Sequence, residues 1–226
     1  MTELEYLGHS AFVLRHEKEV VLIDPFLDGN PSAPPSAKDI RPTLILVTHG
    51  HSDHSGDAAE ISQRCGCLVL ATFEVGNRLE EMGASIISGH IGGEFLFPFG
   101  KVKLFPAVHS SSFDDVHNVG VPCSFLIEMG GRILFHAGDT ALFGDMALIG
   151  EEAVIDVAML PVGGTYTMGL KDAVRAMRLL GAKRLVPMHY GTFEAIALDV
   201  EEIRKGCANA PFHLSVMRPG ERLEVR

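Results

Sequence analysis

The chain has 226 residues, 46% of them hydrophobic, so it can build the core of one sizeable domain or two small ones. Its 29 acidic and 19 basic residues give a formal net charge of -10, which argues against a nucleic-acid partner or an anionic lipid surface. The four cysteines show neither C-x-x-C nor zinc-ribbon spacing, which disfavours both a structural zinc site and a disulfide framework.

The amino-terminal segment is charged from Glu3 onward, and no apolar run has the length of a signal peptide or a membrane span. Free thiols are typical of reducing compartments. We therefore expect a cytoplasmic protein without a membrane partner.

Short apolar or alternating runs predict strands along most of the chain. In chain order these runs are LEYLG, AFVLR, VVLID, TLILVT, CLVLA, KVKLFPAV, CSFLIEM, RILFHAG, VAMLPV, RLVPM and FHLSV. Helical patterns lie between some of them, in the order DAAEISQRC, EVGNRLEEMG, LKDAVRAMRLLG and AIALDVEEIRKG. The last three end at a glycine, a common helix stop.

The order of these elements repeats, with strands, then helices, then strands again. It predicts a single domain (1-226) built from two similar α+β halves, about 1-121 and 122-226, with helices outside and two sheets inside. The MGGR segment, Met129 to Arg132, predicts a two-residue hairpin turn. The segment DGNPSAPPSAKD predicts a mobile surface loop between strands.

The stretch VTHGHSDHSGD concentrates four potential metal ligands, His49, His51, Asp53 and His54. His49 and His51 are two apart, so on an extended segment they would point to the same side and could hold one ion. Asp53 and His54 lie where a helix begins and would face a different point. Neutral imidazole and carboxylate are suitable ligands for zinc, iron or manganese. The alternative without a function is a surface turn that is rich in histidine by chance.

Three further candidates stand just after predicted strands, namely His109 after VKLFPAV, Asp139 after RILFHAG and His189 after RLVPM. Loops at strand ends are where functional side chains gather on a rigid scaffold. Because the same placement recurs three times, the joint pattern favours a metal site over unrelated surface residues.

The HGHSDH segment resembles the H-x-H-x-D-H signature of the metallo-β-lactamase superfamily, and the later candidates follow in the order of its other ligand motifs. The resemblance implies a four-layered αββα sandwich and two divalent metal ions, with zinc expected and manganese or iron as alternatives. It assigns His49, His51 and His109 to one ion and Asp53, His54 and His189 to the other. Asp139 would bridge them, and Asp24 in LIDPF would support a ligand rather than bind metal.

The segments YLGHSAFVL, LIDPFLDGNP, FHAGDT and GGTYTMG resemble the small predicted metal-dependent hydrolases related to ascorbate-6-phosphate lactonases. This resemblance implies a hydrolase in which a metal-activated hydroxide attacks a small ester, lactone or phosphodiester. Asp53 would be the catalytic residue, because it can both bind metal and orient the hydroxide.

Three residues are candidates for contact with the site or the substrate. His9 in LGHSAF either faces the site or caps a turn, and His117 in a polar loop either reaches the substrate or is exposed. Thr167 belongs to a glycine-rich loop before a helix whose amino terminus could bind an anion, although an ordinary connection is an equal alternative. His136 alternates with Phe135 in a strand, which favours a core histidine.

Two alternative functions remain open. The first is a non-catalytic metal-binding or scaffold protein of the same fold. Such a protein would be expected to have lost some ligand residues, but all seven are present in this sequence. The second is a thioester hydrolase of glyoxalase type. Such an enzyme would need an added helical domain after His189, for which the chain leaves little room. We expect a small-molecule substrate, and a homo-oligomer is compatible with the sequence.

Overall fold

Alternating apolar residues form the strands of two seven-stranded sheets, which a computed structural model describes over residues 1-226. The first sheet takes six strands from the first 89 residues of the chain and one from the carboxyl terminus. They are β1 (Thr2–Gly8), β2 (Ala11–His16), β3 (Glu19–Ile23), β4 (Leu44–Leu46), β5 (Leu68–Thr72), β6 (Ser85–Gly89) and β14 (Arg222–Val225). Their spatial order is β14-β1-β2-β3-β4-β5-β6.

The second sheet takes its strands from the rest of the chain. They are β7 (Glu94–Phe97), β8 (Gly100–Pro106), β9 (Cys123–Met129), β10 (Arg132–His136), β11 (Val157–Pro161), β12 (Arg184–Met188) and β13 (His213–Leu214). The spatial order is β13-β12-β11-β10-β9-β8-β7. The chain thus passes from the first sheet to the second between Gly89 and Glu94, before the boundary between the two halves expected near residue 121. Strand β14 then returns to the first sheet.

Six α-helices accompany the sheets. They are α1 (Ser52–Ser55), α2 (Ala58–Cys65), α3 (Phe73–Glu81), α4 (Met146–Glu152), α5 (Leu170–Leu180) and α6 (Val200–Cys207). Helices α2 and α3 contact β5 and β6, whereas α5 contacts β11 and lies between α4 and α6.

The period of two in β2 shows how the layers are built. Phe12 and Leu14 belong to a core of 41 buried residues shared by both sheets, which also includes Phe125 of β9. Val13 points the other way, into a core of 20 buried residues with Ile61 of α2. The layers are therefore helix, sheet, sheet and helix, as expected from the sequence.

Parallel strands bring the ends of distant segments to one edge of each sheet. In the first sheet β3, β4, β5 and β6 are parallel, and in the second β10, β11, β12 and β13 are parallel. The residues that follow β3 and β4 include Asp24 and His49, and those that follow β10 and β12 include Asp139 and His189. Functional side chains commonly gather at such carboxyl ends.

Most of the predicted elements are present, and the differences are local. The MGGR hairpin is confirmed, since Met129 pairs with Arg132 and both glycines have positive φ, 58° and 74°. The last predicted helix begins later than AIALD suggested, because the Asp199 side chain accepts a hydrogen bond from Glu201 N and caps α6 at Val200. Strands β6, β7 and β14 and helix α4 were not predicted.

The structure contains no helix with the length and apolar character needed to cross a membrane.

Candidate metal centre

Three histidines from two loops form the first group of potential ligands. His49 and His51 follow β4, and His109 follows β8. One ring nitrogen from each lies within 4.8 Å of the others, and His49 Nε2 is 2.9 Å from His51 Nδ1. The alternation of His49 and His51 along an extended segment thus directs both rings to one point, as their spacing predicts.

A glycine between these histidines allows the neighbouring loop to pack closely. A Cβ at Gly50 would lie 2.9 Å from the Phe113 ring and 3.0 Å from Ser112 O. Gly50 N donates a hydrogen bond to Ser111 Oγ at 3.1 Å. The loop that follows His109 is therefore held directly against the HGH segment.

The second group joins the start of α1 to the end of β12 and the first hairpin. It comprises His9, Asp53, His54 and His189, again with ligand atoms within 4.8 Å of one another. His189 Nε2 lies 3.9 Å from Asp53 Oδ2. The expected partners Asp53, His54 and His189 are therefore together, and His9 joins them.

Asp139 lies between the two groups. Its Oδ1 is 3.2 Å from His54 Nε2, and its Oδ2 is 3.1 Å from His189 Nε2 and 3.5 Å from His109 Nε2. The carboxylate is 3% exposed. A single buried carboxylate thus touches histidines of both groups, the position that a bridging ligand requires.

Asp24 orients two histidines through hydrogen bonds, one of them directly and the other through Thr48. Its Oδ2 accepts hydrogen bonds from His54 Nδ1 at 2.8 Å and from Thr48 Oγ1 at 2.7 Å. Since the Thr48 hydroxyl donates to Asp24, its oxygen is left to accept from His49 Nδ1 at 2.9 Å. Both Nδ1 atoms therefore carry the proton, which leaves Nε2 of His49 and His54 as lone-pair donors.

His9 faces the site rather than capping a turn. Its Nε2 lies 3.1 Å from Asp53 Oδ2 and its Nδ1 lies 3.0 Å from Thr192 Oγ1, and the side chain is fully buried. The backbone oxygen of His9 accepts a hydrogen bond from His189 N at 2.8 Å. Both histidines have positive φ, 56° and 54°, an uncommon conformation for residues with a Cβ.

Several buried polar atoms in this cluster make no hydrogen bond. They are His54 Nε2, Asp139 Oδ1 and both ring nitrogens of His189. The 3.2 Å contact of His54 Nε2 with Asp139 Oδ1 and the 3.1 Å contact of His189 Nε2 with Asp139 Oδ2 lack the alignment of hydrogen bonds. Unpaired buried polar atoms are costly, and converging nitrogen and oxygen lone pairs are what a divalent cation binds. The residues therefore fit metal ions.

The electrostatics of the cluster favour neutral donors on one side and negative charge on the other. Burial holds the pKa of His49 well below its ordinary value, and burial lowers the pKa of His51 and His109 as well. Burial would raise the pKa of Asp139, but the charges of His54 and His189 keep it well below its usual range. Neutral imidazole and ionised carboxylate are the metal-binding forms.

The pKa of His54 shifts in the opposite direction to the pKa values of His49, His51 and His109. Burial lowers its pKa, but the Asp139 and Asp24 carboxylates outweigh burial and raise it well above the ordinary value. The surrounding carboxylates thus favour positive charge at this point, whether a proton or a metal ion supplies it.

A cleft of about 290 Å³ opens onto the cluster. Its lining residues are His51, Asp53, His109, Ser110, Asp139, Tyr166 and His189. Because five of these seven are expected ligands, substrate in the cleft would meet the metal centre directly.

Two of the expected substrate-proximal residues lie elsewhere. His117 is exposed in its polar loop and does not line the cleft. The Thr167 hydroxyl donates to Met168 O at 3.2 Å, and its neighbour Tyr166, which is 61% exposed, lines the cleft instead. His136 is the core histidine expected from its strand, and its Nε2 donates to Ser10 O at 3.0 Å.

Thr48 and Thr192 were missed from the sequence. Each is next to or near a ligand, in VTHGH and HYGT, and each hydroxyl contacts a histidine Nδ1. A hydroxyl beside a ligand motif is a weak signal, because serine and threonine are common at strand ends.

The arrangement has counterparts among known proteins. The model of the β-lactamase superfamily domain matches residues 19–190. The UPF0173 metal-dependent hydrolase of Thermus thermophilus is 44% identical over 225 residues, 100% of both chains. That of Thermococcus kodakarensis is 41% identical over 227 residues, also 100% of both.

Among solved structures, Igni18, a metallo hydrolase from the archaeon Ignicoccus hospitalis, superposes with a TM-score of 0.88. It is 37% identical, and the match covers 98% of this chain and 97% of Igni18. The chain therefore belongs to the β-lactamase superfamily and, within it, to the family of UPF0173 metal-dependent hydrolases. The expected metallo-β-lactamase fold is confirmed, whereas the relation to ascorbate-6-phosphate lactonases stays a prediction.

Proposed function

We propose that this protein uses two divalent metal ions to hydrolyse a small ester, lactone or phosphodiester. The observation that carries the proposal is the position of Asp139, whose carboxylate lies within 3.5 Å of His54, His109 and His189. One carboxylate shared by two ligand groups suits a pair of metal ions.

The two groups divide the proposed ligands between the ions. His49, His51 and His109 would hold one ion, and Asp53, His54 and His189 would hold the other, with Asp139 shared. Zinc is the expected metal because imidazole and carboxylate suit it, and manganese and iron are alternatives.

Bound divalent cations supply Lewis acidity, which lowers the pKa of water and polarises the carbonyl or phosphoryl oxygen under attack. The protein's own residues orient the reactants. Asp53 lines the cleft, its side chain is 30% exposed, and His9 contacts its Oδ2. This leaves Asp53 Oδ1 to accept a hydrogen bond from the attacking water and hold that water toward the scissile bond.

The test combines metal analysis with hydrolysis. Protein loaded with zinc, manganese or iron would be assayed for metal per chain and for hydrolysis of a carboxylic ester, a lactone, a phosphodiester and a thioester. We expect two ions per chain and turnover of at least one oxygen ester. Asp53→Ala should abolish turnover, while Asp28→Ala should not, since Asp28 is exposed and lies outside the cleft.

The alternatives give different results in the same experiment. Two bound ions with no turnover across the panel would favour a non-catalytic metal-binding protein. Turnover of the thioester alone would favour the glyoxalase-type activity.

A further inference from the structure

The cleft at the metal centre offers no lysine or arginine with which to bind an anionic substrate. None of the seven side chains that line the cleft is lysine or arginine. Many basic residues pair with acidic ones on other surfaces, as Lys103 does with Glu152 and Lys183 with Asp156. A phosphate or carboxylate on the substrate, away from the bond that breaks, would therefore find no cation of the protein.

The charge near the cleft is negative instead. Ser110 lines the cleft, and the loop that continues from it carries two carboxylates, Asp114 and Asp115. Asp114 is exposed, in the loop that follows His109. Arg78, the basic residue that contacts this loop, is paired with the next carboxylate, Asp115. This loop therefore offers an anionic group no unpaired basic side chain.

Two aromatic side chains lie close to one side of the metal centre. Phe26 and Phe193 lie against the buried His9, with ring centroids 5.8 and 5.6 Å from the His9 ring. The two phenylalanine rings are 6.4 Å apart, and Phe193 is 42% exposed. Asp53 lines the cleft and His9 contacts Asp53, so only the His9 side chain separates this aromatic pair from a residue of the cleft.

Two further apolar side chains, both exposed, lie in or next to the lining of the cleft. Tyr166 lines it directly and is 61% exposed, and Val108, next to His109, is 51% exposed. Exposed aromatic surface beside a polar centre is typical of ligand sites, where apolar contact adds affinity and a few polar groups orient the ligand.

We infer that the substrate is an uncharged carboxylic ester or lactone whose apolar group packs on Phe193 and Phe26. This inference rests on the proposed hydrolase function and narrows its substrate class. Hydrolysis adds water across the acyl C–O bond, so that the acyl carbon gains the hydroxyl and the leaving alcohol oxygen gains the proton.

The experiment uses metal-loaded protein and matched p-nitrophenyl esters. Acetate, butyrate and hexanoate esters vary the apolar length, a hemisuccinate ester adds a carboxylate, and bis(p-nitrophenyl) phosphate represents phosphodiesters. We expect kcat/KM to rise about fourfold for each added methylene that packs on the rings. The hemisuccinate and the phosphodiester should be poorer substrates than the butyrate.

Variants locate the effect. Phe193→Ala should flatten the dependence of kcat/KM on acyl chain length, so that the hexanoate ester loses its advantage over the acetate ester. Phe193→Arg should raise kcat/KM for the hemisuccinate relative to the butyrate. Phe73→Ala is the matched control, since Phe73 is 49% exposed on α3, where it contacts His90. Melting temperatures would show that each variant folds.

The outcomes separate the inference from the proposed function. Preference for the phosphodiester or the hemisuccinate would overturn the substrate class but leave the hydrolase standing. The same holds if Phe193→Ala and Phe73→Ala have equal effects. No turnover of any member of the panel would overturn the hydrolase itself, and the substrate class with it.

Discussion

Asp24 and His54 form a fully buried pair in which the imidazole Nδ1 donates to the carboxylate at 2.8 Å. The same carboxylate accepts the Thr48 hydroxyl hydrogen bond, and Thr48 in turn contacts His49. One side chain thus orients a histidine in each half of the proposed ligand set, without reaching the cleft itself.

Replacing the Asp24 carboxylate should weaken metal binding. We expect Asp24→Asn to lower metal affinity by about 10- to 100-fold, because it perturbs the hydrogen bonds that orient His54 and His49. Competition with a chromophoric chelator measures this loss. Asp28→Asn is the control, since that carboxylate is exposed and pairs only with Lys38. Equal affinities in the two variants would contradict this role for Asp24.

His9 should act as a positioning residue for Asp53. In His9→Ala, Asp53 Oδ2 loses its 3.1 Å contact, so we expect loss of bound metal from the Asp53 group and a fall in kcat of at least about tenfold. The metal content per chain, measured by elemental mass spectrometry, distinguishes loss of the positioning role from a merely structural defect. Thr192→Val should give a smaller effect in the same direction, because it removes only the Nδ1 partner.

A matched variant for His9 is His213→Ala, since His213 is exposed on β13 and belongs to none of the ligand groups. It should bind metal as the wild type does. Full metal content and wild-type kcat in His9→Ala would rule out the positioning role.

A methyl group at Gly50 should disturb the loop that follows His109. Since the new Cβ would meet the Phe113 ring at 2.9 Å and Ser112 O at 3.0 Å, Gly50→Ala should cost about 1–3 kcal/mol of folding free energy. Urea denaturation measures this cost, and metal affinity should fall as well. Gly144→Ala is the control, because nothing lies within 4 Å of its Cβ position. Equal stability of the two variants would contradict the packing argument.

The buried carboxylate of Asp156 should make stability depend on acid pH. Burial raises its pKa, but the Lys183 ammonium at 2.7 Å and the Ile133 N–H outweigh burial, so its pKa lies below the usual value. A depressed folded pKa stabilises the protein above the unfolded value of about 4, and the contribution disappears as pH falls through the folded pKa.

Asp156→Asn should therefore be less stable than the wild type at pH 7, and the difference should shrink toward pH 3. The contribution of the ion pair with Lys183 should be below about 1 kcal/mol, because Lys183 is 55% exposed and water screens it. Urea denaturation at several pH values tests this. A difference between the two proteins that stays constant from pH 7 to pH 3 would exclude Asp156 as the titrating group.

Local patterns in the sequence were sufficient for much of the fold. The strands β1 to β5 and β8 to β13 follow apolar alternation or short apolar runs, which depend on burial of one or both faces. The strands β6, β7 and β14 were not predicted because they lie at sheet edges, where exposed apolar residues such as Leu96, 81% exposed, obscure the alternation. Helix α4 was not predicted because it is only seven residues long, which is too short for a clear helical periodicity.

The sequence by itself determined the chemistry of the centre. The spacing of His49, His51, Asp53 and His54 is a local property, since a strand end and a helix start dictate where adjacent side chains point. Only the tertiary structure decided which distant residues complete it. Asp139 touches both ligand groups, His9 reaches Thr192 and Asp53, and Phe193 lies beside Phe26, because two sheets in this order bring their strand ends to one edge. Such contacts depend on strand order and register, which local periodicity does not encode.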